Sequence, residues 1–240
     1  MAPRWPKDRG SVVAFVRTLA ETAKVSAPIL VDRARGKLKR EGVDRRIRRW
    51  AENTVRISGV DIEVSGLENI DPRRTYVVMS NHQSNYDIVA IYHAFPSTLR
   101  MVAKQEMRKL PLMGSAMEAA EFIFVDRSNN TAARRALDSA KERIRSGVNV
   151  WIAPEGTRSV TGKLGAFKKG GFMLALSAGV PILPCTVTGT RDVMPIKAAS
   201  IHLGQKAKIQ FHAPLETTDY GLDGRDRLME DVRTSILSGF

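Results

Sequence analysis

The chain of 240 residues has a single cysteine, Cys185, so it cannot close a disulfide within itself and nothing in it calls for an oxidising compartment. Cys185 lies inside an apolar run, where a thiol serves as a small core residue rather than as a nucleophile. The four histidines, His82, His93, His202 and His212, lie far apart without ligand spacing, which argues against a zinc site. No G-x-S-x-G elbow occurs, which disfavours a serine hydrolase. Aromatic residues make up only 6% of the chain and no standard nucleic-acid-binding motif is present. No stretch reaches the ~18 uncharged apolar residues of a membrane span. Arg17, Glu21 and Lys24 interrupt the first apolar region, and the opening APRWPKDRG lacks a clean signal-peptide core. There is neither an internal repeat nor a low-complexity tract. Acidic charge is also short: 25 Asp+Glu face 38 Lys+Arg, a net charge of +13 that points to a polyanion, an anionic membrane surface or a phosphorylated substrate.

What is present divides near residue 58. Before it, Val12, Val16, Leu19, Ala20, Ala23 and Ala27 recur at three-to-four spacing, the period of a helix with one apolar face, and Pro28 should bend or end that helix. A second helix over about 43–56 puts Val43, Ile47, Trp50, Ala51 and Val55 on one side. The segment DRARGKLKREGVDRRIRRW carries nine basic residues (Arg33, Arg35, Lys37, Lys39, Arg40, Arg45, Arg46, Arg48, Arg49) against three acidic ones (Asp32, Glu41, Asp44). Two readings fit it: a solvated face packed on the domain, or a basic amphipathic pair lying on anionic lipid with Trp50 near the headgroups. The two-part division is thus 1–57, helical and basic, and 58–240.

In the second part apolar runs recur at 60–64, 75–79, 99–103, 122–125, 148–152, 182–187, 199–203 and 207–211. Helical stretches separate several of them, at about 86–95, 131–146 and 170–178, and a last helix reads at about 224–237. Strands alternating with helices predict an α/β fold: a mixed, partly parallel sheet flanked by helices, with the last two strands pairing as an antiparallel edge.

Four stretches, the third with an adjoining segment, lie at or along these strands. SNHQSNYDIVA runs from a buried strand into a helix, so His82 falls in the turn and Asp87 in the first helical turn, with Ser84 or Asn85 as the cap. That placement lets an aspartate hold one imidazole nitrogen and leaves the other free to take a proton from a hydroxyl. Taken alone, these residues read better as plain turn and cap residues, with His82 merely sitting among them. EFIFVDRSN ends a strand in Asp126 and Arg127. WIAPEGTRS brings Glu155, Gly156, Thr157 and Arg158 to a strand end: a hydroxyl acceptor, a close-approach glycine and a planar cationic fork. FKKGGF adds Lys168 and Lys169 ahead of a helix. GVPILPCTVTG reads as a buried strand with two prolines, near an edge.

His82-Gln83-Ser84-Asn85-Tyr86-Asp87 resembles the HX4D block of the glycerolipid acyltransferases. Phe124-Val125-Asp126-Arg127, Pro154-Glu155-Gly156-Thr157-Arg158-Ser159 and Val180-Pro181-Ile182-Leu183-Pro184 resemble the other three blocks of that family, in order. The likeness spans about 75–190 and is nearest the branch that converts lysophosphatidic acid to phosphatidic acid. Ala153 stands where an aromatic commonly precedes Pro-Glu-Gly, and Glu121 where the second block usually opens with glycine. Both departures bear on the acceptor more than on the reaction. The resemblance implies that His82 is a general base and Asp87 its orienting partner. It implies that Glu155, Gly156 and Thr157 position the glycerol, while Arg158, with Arg127 or Lys168, holds the phosphate. The acyl donor would be acyl-CoA or acyl carrier protein, with no other cofactor and no metal. With a lipid acceptor and product, the basic helices read as a device for peripheral attachment to the cytoplasmic face of the cell membrane. The competing expectations are an acyltransferase for another lyso-lipid, such as lyso-ornithine lipid, and a basic nucleic-acid-binding protein.

Overall fold

A computed structural model describes residues 10–126 and 128–240, and the expectations that fall on 1–9 and on Arg127 lie outside the described residues. The first element among the described residues is helix α1 (Val12–Ala34), whose first turn is capped by the Ser11 hydroxyl accepting from the Ala14 amide at 3.1 Å. Helix α2 (Arg40–Ser58) follows and stops at Gly59, which takes the left-handed conformation that ends many helices. Then come β1 (Asp61–Ser65), β2 (Val77–Ser80), α3 (Tyr86–Ala94), β3 (Leu99–Lys104), α4 (Met113–Ala119) and β4 (Ile123–Val125). The second half supplies α5 (Asn130–Arg145), β5 (Asn149–Ile152), α6 (Gly170–Ala178), β6 (Ile182–Thr188), α7 (Thr190–Val193), β7 (Lys206–Phe211) and α8 (Arg225–Leu237).

Among the described residues these strands form one sheet in the order β1-β7-β6-β2-β5-β3-β4, parallel throughout except for the antiparallel pair β6–β7. The central strands are apolar on both faces because both faces are covered. Val77 and Met79 of β2 join one core with Val150 and Ile152 of β5, under α5, α6 and α8. Val78 and Trp151 point the other way, into a core shared with Ile29, Val43, Ile47 and Ala51 of the first two helices. Each such buried aliphatic side chain is worth ~1.5–3 kcal/mol. The two N-terminal helices therefore share a core with the sheet.

Four local expectations change. Residues 199–203 form no strand; Ile201 makes one isolated bridge to Ser11 and packs beside Ala14. The antiparallel pair is therefore β6–β7, and β7 lies inside the sheet with β1 on its far side. Pro28 sits within α1 rather than ending it. A mid-helix proline costs ~3 kcal/mol, and the burial of Ile29 beside it contributes ~1.5–3 kcal/mol in the opposite direction. Trp50 is turned inward, its indole N–H donating to the Thr22 hydroxyl at 3.1 Å and its ring edge-on to Tyr92, so it is not free to sit among headgroups.

The apolar stripe of α1 faces away from the protein. Val12, Val16 and Leu19 are 60%, 55% and 54% exposed, whereas the face turned to the core carries Ala14, Thr18, Ser26 and Ile29. No helix among the described residues is long and apolar enough to cross a membrane.

Candidate active site

β2, β4, β5 and β6 run parallel, so their C-terminal ends open on one edge of the sheet, the position where α/β sheets bind ligands. Residues 81–85 leave β2 there and turn into α3. Asn81 pins the start of the turn: its amide donates to the Val187 carbonyl at 2.7 Å and its carbonyl accepts from the Val187 amide at 2.8 Å. Ser84 donates to the Met194 carbonyl at 2.6 Å and accepts from the Tyr86 amide, so the hydroxyl of Ser84, rather than the Asn85 side chain, starts the helix.

The turn brings His82 Nδ1 to 2.7 Å from Asp87 Oδ2. The same oxygen accepts from the Gln83 and Ser84 amides at 2.7 and 3.0 Å, and Oδ1 accepts from the Thr190 hydroxyl. Asp87 is fully buried. Four donors meet it, which matches a carboxylate, an acceptor-only group. His82 Nδ1 must then be the donor in this pair, which leaves Nε2 with a free lone pair. The imidazole also lies edge-on to Trp151, with ring centroids 6.1 Å apart. A held Nδ1–H and a free Nε2 are what general-base catalysis requires of a histidine. Thr190 was not visible as a site residue in the sequence; it is 103 positions from Asp87, and only the β6–α7 turn delivers it.

The segment after β5 closes over this pair. The Ser159 amide donates to the His82 carbonyl at 2.7 Å. Gly156 has φ +70°, and a Cβ there would come within 2.8 Å of Lys168 Cε, so glycine allows Lys168 to lie across the turn. Glu155 is only 6% exposed. Its Oε1 accepts from the His82 amide and its Oε2 from the Gly165 amide, each at 2.8 Å. The sequence expectation set Glu155 on a glycerol hydroxyl; in the structure both of its oxygens are engaged by backbone. Thr157 is exposed beside it. The side chains of Arg158, half-buried, and Lys168, exposed, make no hydrogen bond or ion pair among the described residues, so two uncommitted cations flank the turn. Asp126, at the end of β4, accepts from the Ser128 amide and hydroxyl, which holds its carboxyl below the usual range.

Behind the turn, a cavity of about 140 Å³ lies between the first two helices, α3 and α4. Ile88, next to Asp87, lines it together with Val25, Ile29, Trp50, Met101, Met117 and Phe122, an almost wholly apolar wall. Cys185 is buried, and burial, with the nearby Asp87 charge, pushes its thiol well up; it is no nucleophile. No group of three or more His, Cys, Asp and Glu among the described residues is placed to hold a metal ion.

The family model described as Acyltransferase matches residues 61–188, the stretch that holds β2, β5, β6 and every residue of this site up to that point. The chain belongs to the Acyltransferase family. It is 32% identical over 183 residues to mouse "1-acyl-sn-glycerol-3-phosphate acyltransferase alpha", a match covering 76% of this chain and 64% of that one. It is 31% identical over 182 residues to "1-acyl-sn-glycerol-3-phosphate acyltransferase" of Saccharomyces cerevisiae, covering 75% and 59%. The chain thus spans less than two thirds of the length of these curated relatives. The crystal structure of the "1-acyl-sn-glycerophosphate (LPA) acyltransferase, PlsC" from Thermotoga maritima superposes with a TM-score of 0.74 at 29% identity, covering 95% of this chain and 96% of that one. That likeness includes the mostly parallel sheet and the N-terminal helices.

Of the two departures from the family blocks, one has a local account. Glu121 has φ +67°, a conformation glycine adopts freely, and its carboxylate takes two hydrogen bonds at 2.8 Å from Arg40, which holds its carboxyl below the usual range. The ion pair ties the start of α2 to the start of β4. Nothing in the structure explains Ala153.

Proposed function

We propose that this acyltransferase moves an acyl chain from an acyl thioester to the free glycerol hydroxyl of lysophosphatidic acid, forming phosphatidic acid. The observation that carries the reading is the His82–Asp87 pair, with its free Nε2, beside the uncommitted cations Arg158 and Lys168. The activities named for the mouse, yeast and Thermotoga proteins support the same acceptor. His82 Nε2 takes the hydroxyl proton as the oxygen attacks the thioester carbonyl. Asp87 keeps the ring oriented and offsets the charge of the imidazolium. Collapse of the tetrahedral adduct breaks the C–S bond, and the imidazolium returns the proton to the departing thiolate. The hydroxyl hydrogen ends on the thiol and the acyl group on the oxygen, with no acyl-enzyme needed.

Arg158 offers a planar fork to the acceptor phosphate, and Lys168 adds a point charge from across Gly156. Gly156 and Thr157 line the approach, and Arg127, outside the described residues, is the further candidate cation. The donor is acyl-CoA or acyl carrier protein, and no other cofactor takes part. The apolar cavity behind Asp87 suits an alkyl chain. The outward stripe of α1, flanked by the basic segment 33–49, supports attachment of residues 1–57 to an anionic membrane surface, with 58–240 as the catalytic unit. The test is an acyl-transfer assay offering lysophosphatidic acid, lyso-ornithine lipid and monoacylglycerol, with acyl-CoA and acylated carrier protein as donors. Phosphatidic acid should be the main product. Equal use of the phosphate-free acceptors would refute the assignment.

A further inference from the structure

The last helix reaches the catalytic turn through one peptide group. Arg233, on α8, donates from Nη2 to the Leu164 carbonyl at 3.2 Å and from Nη1 to the Gly165 carbonyl at 2.7 Å. Its guanidinium also lies over the Phe167 ring, 5.6 Å from the centroid, and Phe167 stacks on the buried Phe172. The peptide joining Leu164 to Gly165 is therefore held at both ends. Its carbonyl accepts from Arg233, and its N–H donates to Glu155 Oε2 at 2.8 Å. The other oxygen of Glu155 holds the His82 amide, also at 2.8 Å.

We propose that Arg233 is a positioning residue for the general base, acting on His82 through the 164–165 peptide and Glu155. Withdrawing electron density from the Leu164 carbonyl strengthens the Gly165 N–H as a donor, because hydrogen bonds in a chain polarise one another. Glu155 is buried, and among the described residues no Lys or Arg pairs with it, so its charge depends on these two backbone donors. A freed 164–165 peptide would leave the carboxylate with one of them. Glu155 would then shift toward other donors and carry the His82 amide with it, away from the geometry that aims Nε2. Displacements of ~1 Å at a reacting group cost on the order of 10²-fold in rate.

This inference rests on the base role of His82. The experiment uses the full chain, as wild type, Arg233→Gln and Arg233→Lys, with acyl-transfer kinetics and backbone amide exchange measured on each. Arg233→Gln should lower kcat on the order of 10- to 100-fold while the acceptor KM stays within about twofold. Arg233→Lys, which can still donate to one carbonyl, should recover part of the loss. Exchange at the His82 and Gly165 amides should rise at least ~10-fold in Arg233→Gln while Val78 and Val150, in the sheet, stay as protected as before. An unchanged kcat, or unchanged exchange at those two amides, overturns the proposal, as does a loss confined to KM. Wild-type protein that leaves lysophosphatidic acid untouched would overturn the acceptor reading alone. The exchange arm needs no substrate and still decides whether the clamp exists.

Discussion

Replacing Asp87 with asparagine separates the orienting role of this residue from its place in the fold. Asp87 is fully buried and accepts four hydrogen bonds: from His82 Nδ1, two backbone amides and the Thr190 hydroxyl. Asparagine has nearly the same shape. Its carbonyl oxygen should take the Oδ2 position, because the Gln83 and Ser84 N–H groups both point there and an NH2 would oppose two donors. The NH2 then faces Thr190, whose hydroxyl can rotate to accept. All four contacts survive in neutral form, so the loss of stability should be small, about 1 kcal/mol or less. Catalysis should suffer more. The imidazolium formed in the reaction loses an anionic partner 2.7 Å away, and exchanging a charged for a neutral hydrogen bond costs roughly 2–3 kcal/mol in the transition state, on the order of 10² in kcat. If the amide instead turns its NH2 toward His82, the ring is driven into the wrong tautomer and the loss approaches ~10⁴. Either way the acceptor KM should hold within about twofold, because Asp87 reaches no substrate. Thiol release during turnover can be followed with a disulfide reagent, since the one cysteine of the chain is buried. A folded Asp87→Asn protein with near-normal kcat, or with a defect only in KM, would refute the orienting role.

Arg158→Lys keeps the charge but loses the fork, so kcat/KM for lysophosphatidic acid should fall ~10-fold while that for monoacylglycerol is little changed; equal damage to both acceptors would make Arg158 a structural residue. Replacing Val16 and Leu19 together with serine removes two side chains from the outward stripe of α1. At ~1 kcal/mol each on partial insertion, binding to anionic vesicles should weaken about 30-fold at high salt, and unchanged co-sedimentation would mean that this face does not meet lipid. His212 gives a pH signature. The Thr186 hydroxyl donates to the Ile236 carbonyl at 2.6 Å, so it receives the His212 Nε2–H at 2.8 Å. Burial pushes His212 below the usual histidine value. The unfolded chain therefore binds this proton more readily than the folded one, and stability is lost as pH falls through about 6.5 toward the folded value. Tm should drop between about pH 7.5 and 5.5, and His212→Gln should flatten part of that drop; an identical pH profile in the variant would count against it.

Much of this was legible along the chain because it is local. β2, β5 and β6 announce themselves as short apolar runs buried on both faces, and the turn from β2 into α3 follows from small capping residues between such a run and a helical pattern. The His82–Asp87 contact spans five residues and needs only that turn. What was not legible depends on long-range placement. Thr190 reaches Asp87, and Arg233 reaches Leu164, only because β6 and α8 arrive from elsewhere in the sequence. A buried glutamate and a ligand-binding one look alike in Pro-Glu-Gly, so the engagement of Glu155 by two amides had to be seen. Periodicity told which face of α1 is apolar but not what that face meets, and it lies outward. Propensity misled at 199–203, where a β-rich run is used for one bridge, and at Pro28, where packing overrides a helix breaker.

In the proposed reaction His82, with a free Nε2, takes the proton of the lysophosphatidic acid hydroxyl. The most direct measurement compares wild type with a His82→Ala protein of unchanged fold, counting phosphatidic acid and free thiol released together from lysophosphatidic acid and an acyl thioester. One thiol per phosphatidic acid is expected from the wild type and a kcat lower by ~10²–10⁴-fold from the variant; phosphatidic acid formed by the variant at close to the wild-type rate would contradict the base role of His82.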